Sequence, residues 1–187
     1  MINDDTLAEV VRFHGHLCPG LAMGVRAAEV ALEQIGPHAE DEEVVAIVET
    51  DMCGVDGIQF LTGCTFGKGN LVHRDYGKNA YTFIRRSDGR AIRISTRPGS
   101  FGPPKDGPDA EMSREDRSRH ILAAPIEDLY DVHDVDMTVP PLARVFTSVP
   151  CAHCQEPTME TRIRRVGGAE YCPPCFEAEL AARSAGD

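Results

Sequence analysis

Apolar positions recur at helical spacing twice near the start of the chain. Leu7, Val10, Val11 and Phe13 follow Asn3, a residue suited to capping, and predict a first short helix over residues 3–13. Leu21, Val25, Ala28, Leu32 and Ile35 share one face of a second helix over 19–35, with Pro19 in its first turn and Gly36-Pro37 as its stop. Between them, HGHLCPG at 14–20 reads as a loop. The pattern then changes to a β-branched apolar run, VVAIVET at 44–50, which predicts a strand feeding into a turn and a short helix that ends near Cys64. A further short strand is expected near 71–73. YTFIRR at 81–86 and AIRIST at 91–96 flank SDGR and predict a hairpin turning near Asp88-Gly89.

Residues 97–109 hold four prolines and three glycines, so an exposed or mobile loop is expected there. Ser113 with Asp116 resembles a capping box and predicts a helix over 114–123. PIEDLYDVHDVDM adds a turn or short helix and an extended segment, Pro140-Pro141 marks a linker, and 143–149 reads as a strand. The fold class is therefore α+β: a mixed sheet with packed helices over residues 1–142, followed by a small cysteine module over 143–187.

Composition narrows the function classes. The 187 residues are 42% hydrophobic and 26% charged, a globular balance for one modest domain plus a small module. The acidic N-terminus has no basic region followed by an apolar stretch, and no apolar run approaches the roughly 20 residues of a membrane span. A cytoplasmic location is expected. There the seven cysteines stay reduced, which favours metal binding or thiolate chemistry over disulfides. A net charge of −11 argues against general attraction to nucleic acid or anionic lipid, leaving a small molecule or another protein as the expected partner.

Cys151, Cys154, Cys172 and Cys175 form two CxxC pairs. Each pair aims two sulfurs at one ion, and two pairs complete the closed tetrahedral shell of structural zinc. Between them, TMETRIRRVGG predicts a hairpin turning at Gly167-Gly168, and FEAELAARSA predicts a terminal helix. Knuckle, hairpin and helix describe a treble-clef or zinc-ribbon module. The competing reading is redox CxxC pairs or plain buried thiols. His153, between two ligands, is expected to be exposed. Arg162, Arg164 and Arg165 are offset by Glu156, Glu160 and Glu170, so protein contact suits this module better than nucleic acid.

A second cluster precedes the second helix. His14, His16 and Cys18 alternate, so in an extended loop their side chains face one side, and Cys18 lies where a helix N-terminus stabilises a thiolate. Cys53 follows the 44–50 strand, with Asp56 three residues on. The site is read as His16, Cys18 and Cys53, with His14 as a ligand or its support; the bland alternative makes Cys18, Cys53 and Cys64 ordinary buried thiols. FGKGN at 66–70 is not a Walker A motif, although Lys68 and its glycines suit either an anion or a tight turn. His73 and Lys78 stand in no diagnostic pattern.

With HGHLCPG, ETDMCGVDGIQFLTGCTFGKGNL and the two CxxC pairs in view, the chain resembles the FmdE family, named for the E subunit of molybdenum formylmethanofuran dehydrogenase. The resemblance implies an α+β core, a treble-clef zinc domain, a homodimer, and a second metal, expected to be zinc, at a site involving His16, Cys18 and Cys53. It does not imply formylmethanofuran oxidation, because the sequence has no recognisable pterin, molybdenum or iron–sulfur motif. The expected role is a metal-binding accessory or regulatory protein. The alternative is a metal-dependent enzyme, or a subunit of a formylmethanofuran dehydrogenase-like oxidoreductase acting on a small substrate, with Cys18, Asp56 and Lys68 as candidate catalytic groups. A third reading is thiol redox work by Cys18 with Cys53 or Cys64.

Overall fold

A computed structural model describes residues 1–100 and 112–184. Its contacts divide the chain into two compact units, Met1–Ala143 and Arg144–Asp187. The first opens with α1 (Asp4–His14) and α2 (Pro19–Gln34), then β1 (Val44–Val48), α3 (Gly54–Thr62) and β2 (Leu71–His73). It continues with β3 (Ala80–Arg85), β4 (Ala91–Thr96), α4 (Arg114–Ala123), α5 (Ile126–Leu129) and β5 (Tyr130–Asp134). Five strands form one mixed sheet in the order β2-β1-β3-β4-β5. Helix α3 carries the crossover between the parallel pair β1 and β2; every other pairing is antiparallel.

Strand alternation explains the two cores. Val44, Ala46 and Val48 of β1, Tyr81 and Phe83 of β3, and Ile92 and Ile94 of β4 share one core with Leu21, Val25, Ala28 and Ile58 of the helices. Val45, Ile47, Ile84 and Ala91 point the other way and are covered by Val135, Met137 and Val139 beyond β5. Arg86 ties that covering segment down by donating to the carbonyls of Pro140 and Pro141. Because β1 is buried on both faces, its sequence shows no polar alternation.

Local signals account for the helix ends. The Asn3 side chain accepts from Thr6 N–H at 2.8 Å, Pro19 occupies the first turn of α2, and the Ser113 hydroxyl accepts from Asp116 N–H at 3.1 Å. His14 departs from expectation: it is the last residue of α1 rather than part of a loop, and Gly15 turns the chain behind it at φ 101°. Of the expected 97–109 loop, residues 101–109 lie outside the described residues.

The second unit holds β6 (Ser148–Pro150) paired with β7 (Pro157–Met159), a 3₁₀ turn at Glu160–Arg162, the β8 (Arg164–Val166) and β9 (Ala169–Tyr171) hairpin, and α6 (Pro173–Ser184). The strand expected over 143–149 is confined to its last residues, and α6 starts at Pro173, before the expected 176. Gly167 and Gly168 make the hairpin turn with φ of 57° and 79°. Among the described residues of this unit, Cys151 and Cys172 are the only buried side chains. Apolar packing of that extent cannot hold a fold by itself.

Candidate metal centres

In the second unit, the chain bends back at Gln155, whose φ is 64°, and α6 brings Cys175 beside Cys172. The four sulfurs of Cys151, Cys154, Cys172 and Cys175 all lie within 4.8 Å of one another. Tetrahedral zinc with bonds of about 2.3 Å sets sulfurs about 3.8 Å apart, and Cys154 Sγ and Cys172 Sγ are separated by 3.8 Å. Burial opposes ionising Cys151, but backbone N–H groups, led by that of Cys172 at 3.3 Å, outweigh it and bring the thiol down to about 6. Cys175 is pushed up to about 12 by its contact with Cys172, by burial and by the remaining sulfurs. Four crowded thiols of this kind ionise together only around a cation. His153 is exposed, with Nδ1 at 3.6 Å from Cys175 Sγ, so it flanks the sulfurs without joining them.

The core site begins with an unusually close helix pair. A methyl group at Gly24 would lie 2.0 Å from Gly54 O, and one at Gly57 would lie 3.0 Å from Val25 N, so the backbones of α2 and α3 touch. Their N-termini consequently meet. Cys18 caps α2, its sulfur accepting from Leu21 N–H at 3.4 Å; Cys53 caps α3 with no such bond, leaving its sulfur uncommitted to the helix. Cys53 Cβ would be 3.2 Å from a Cβ at Gly20. Two positive helix ends thus converge on two sulfurs, which favours negative charge there.

His14 enters from the end of α1. Its Nδ1–H donates to Asp56 Oδ2 at 2.6 Å, a direction set by the carboxylate's lack of a proton to give, which turns Nε2 toward Cys18 Sγ at 3.8 Å. A ligand pair on tetrahedral zinc would stand about 3.6 Å apart. The His16 ring sits 4.8 Å from that of His14, and His14, His16 and Cys18 offer three ligand atoms within 4.8 Å of one another. Cys18 is buried and His16 exposed, so the cluster opens to solvent. The turn at Gly15, not alternation along an extended loop, brings the rings together.

Other candidates are sorted by place. Cys53 stands beside Cys18 but outside the compact trio; burial raises its thiol first, and the Cys18 sulfur adds to the shift. Asp56 is engaged with His14, which corrects its reading as a free proton-transfer group. Lys68 is also corrected: its Nζ donates to Ala39 O at 2.7 Å and Asp41 O at 3.4 Å, just before the start of β1, whereas Cys53 follows its end. Cys64 bonds Val44 O, the first residue of β1, and belongs to that distant end too. His73 ends β2 in solvent, and Lys78 lies over the Tyr76 ring. Sequence reasoning missed Tyr81, whose hydroxyl reaches the start of α3: a Cβ at Gly54 would lie 2.6 Å from it. Its register opposite Val48, the last residue of β1, was the only signal available.

The comparisons with known proteins follow this division. A family model described as FmdE, Molybdenum formylmethanofuran dehydrogenase operon, matches residues 13–138. One described as Prokaryotic dksA/traR C4-type zinc finger matches residues 144–179. The chain is 30% identical over 195 aligned residues to a probable S-adenosyl-L-methionine-binding protein of Archaeoglobus fulgidus, covering 88% of this chain and 53% of that protein. The chain therefore spans about half the length of this relative. A solved structure of an FmdE-like protein of the tungsten formylmethanofuran dehydrogenase type, from Syntrophus aciditrophicus, matches with a TM-score of 0.70 at 23% identity, covering 94% of this chain and 92% of that one. That likeness concerns the fold.

Proposed function

The chain belongs to the FmdE family, and from that premise we propose that it is a metal-binding accessory or regulatory protein with two distinct ion sites. In the core, His14 Nε2, the His16 ring and Cys18 Sγ hold one divalent ion, preferably zinc, with Cys53 at the edge of the site. In the second unit, four thiolates hold a structural zinc. The observation that carries the core reading is the Asp56–His14–Cys18 chain: a carboxylate fixes one imidazole nitrogen and presents the other to a thiolate, as supports of metal-bound histidines do.

Metal analysis of protein purified without added metal tests this reading. Wild type is expected to carry two ions per chain, with one lost in Cys18→Ala and the other in Cys172→Ala. A single ion, retained in Cys18→Ala, would leave the core proposal without support.

A second reading is a metal-dependent enzyme, and the exposed side of the His14, His16 and Cys18 trio favours it. Three protein ligands leave a coordination position for water or a small substrate. A bound zinc would supply Lewis-acid polarisation there, while the protein holds His14 in one tautomer and leaves one face open. S-adenosyl-L-methionine belongs in any ligand screen because of the name of the Archaeoglobus relative. Turnover of any screened substrate that persists in Cys18→Ala would exclude this site as its origin.

The remaining parts of the proposal concern surroundings. Among the described residues, no helix is long and apolar enough to cross a membrane, and all seven cysteines are free, which suits a reducing cytoplasm. Homodimerisation follows the family resemblance, and the zinc unit is proposed to dock a protein rather than nucleic acid.

A further inference from the structure

Two tyrosines lie inside the first unit, and they are treated differently. Tyr130 is 2% exposed and its hydroxyl donates to Met23 O at 2.6 Å. Tyr81 is 1% exposed, yet no hydrogen bond to its hydroxyl forms among the described residues. Arg26 Nε and Arg117 Nε are the fully enclosed side-chain polar atoms left without partners there, so the Tyr81 oxygen borders a small opening rather than a sealed wall. Phenylalanine would fill the same space with nothing left unbonded. A buried hydroxyl without a partner opposes folding, so its presence calls for an acceptor.

Geometry names that acceptor. Tyr81 faces the helix side of the sheet with Val48, and the chain runs from Val48 directly to Cys53. The hydroxyl lies where α3 begins, since a Cβ on Gly54 would sit 2.6 Å from it and 3.1 Å from Gly20 O. Cys53 immediately precedes Gly54 and lies 3.8 Å by its sulfur from the Cβ position of Gly20. The hydroxyl and the sulfur therefore flank the same crossing of α2 and α3. Burial raises the phenol far above its ordinary range and the Cys53 sulfur adds to the effect, so Tyr81 stays a proton donor.

We infer that Tyr81 is the positioning residue of Cys53: its O–H donates to Cys53 Sγ in the thiolate form and holds that sulfur at the edge of the core metal site. This rests on the two-site reading above and deepens it. A thiolate accepts a hydrogen bond where a neutral thiol is a poor partner, so the hydroxyl gains its acceptor when the sulfur loses its proton. Donation to the sulfur also draws electron density from it, tuning whatever the sulfur binds.

Cobalt(II) is the probe, used on the full chain after one equivalent of zinc has filled the four-cysteine site. Tyr81→Phe removes only the hydroxyl. It is expected to raise the Co(II) Kd of the core site about tenfold, the lower end for loss of a group supporting a metal ligand. The sulfur-to-cobalt charge-transfer band should move to longer wavelength, with one core ion still bound. In a Cys53→Ala background the same substitution should leave Kd unchanged, because the two residues act as one unit. Tyr130→Phe provides the control: it loses a satisfied buried hydrogen bond and should lower Tm while leaving Kd and band in place. A wild-type Kd and band in Tyr81→Phe, or an equal loss with and without Cys53, would overturn the inference. Wild type that takes up no second ion would instead sink the core metal site itself, and the role of Tyr81 with it.

Discussion

Asp56 and Lys68 have the same rank in the sequence, each a charged residue near a cysteine, and the structure gives them opposite duties. Asp56 holds His14 across 42 residues, whereas Lys68 holds backbone carbonyls of the 39–41 loop. Asp56→Ala should therefore weaken zinc binding at the core site about 10- to 100-fold with little change in Tm, because its side chain is partly exposed and its loss frees the imidazole to rotate. Lys68→Met should do the reverse, lowering Tm while zinc affinity stays at the wild-type value. Competition with a chromophoric chelator and thermal melting separate the two. His14, His16 and Cys18 were legible because they crowd one short segment. The partnership of His14 with Asp56 was not, since residue type shows that a carboxylate can support an imidazole but not which one will. The duty of Lys68 was hidden for another reason: its partners are main-chain oxygens, which every residue possesses.

At the scale of elements, helical spacing and caps predict α1, α2 and α4 nearly to the residue, because an amphipathic stripe and a capping side chain are both local. Glycine in α2 and α3 carries information of a different kind. Spacing alone presents Gly20, Gly24, Gly54 and Gly57 as weak points in two helices, yet their absent side chains allow the backbones to touch and the cysteine caps to converge. Gly24→Ala would place a methyl group 2.0 Å from Gly54 O, forcing the helices apart. Overpacking of this sort destabilises by about 1–3 kcal/mol, occasionally more, and core zinc binding should fall together with Tm. Gly67→Ala is the matched control, since nothing lies within 4 Å of its Cβ position and its φ is ordinary. Equal metal binding in Gly24→Ala and wild type would show that the helix contact does not set the site.

For the molecule as a whole, stability must come from different sources in the two units. The first encloses buried side chains on both faces of a five-stranded sheet, while the described part of the second buries only Cys151 and Cys172. The paired CxxC motifs made the second unit legible without any apolar pattern, because ligand spacing is itself a folding signal where metal takes the place of a core. The mixed order of the large sheet was not legible, since the parallel pairing of β1 with β2 depends on the path of α3 and not on strand composition. Zinc removal should therefore act on one unit. Treatment with a strong chelator, or Cys172→Ala, is expected to make residues 144–184 readily cleaved by trypsin at Arg162, Arg164 and Arg165, while the 1–143 unit keeps its cooperative thermal transition. Acidification should have the same selective effect, because protons compete with the ion for all four thiolates and metal affinity falls as pH falls. Mass spectrometry of the digest and a melting curve check both halves of the expectation. A second unit that resisted trypsin after complete zinc loss would mean that its fold does not depend on the four-sulfur site.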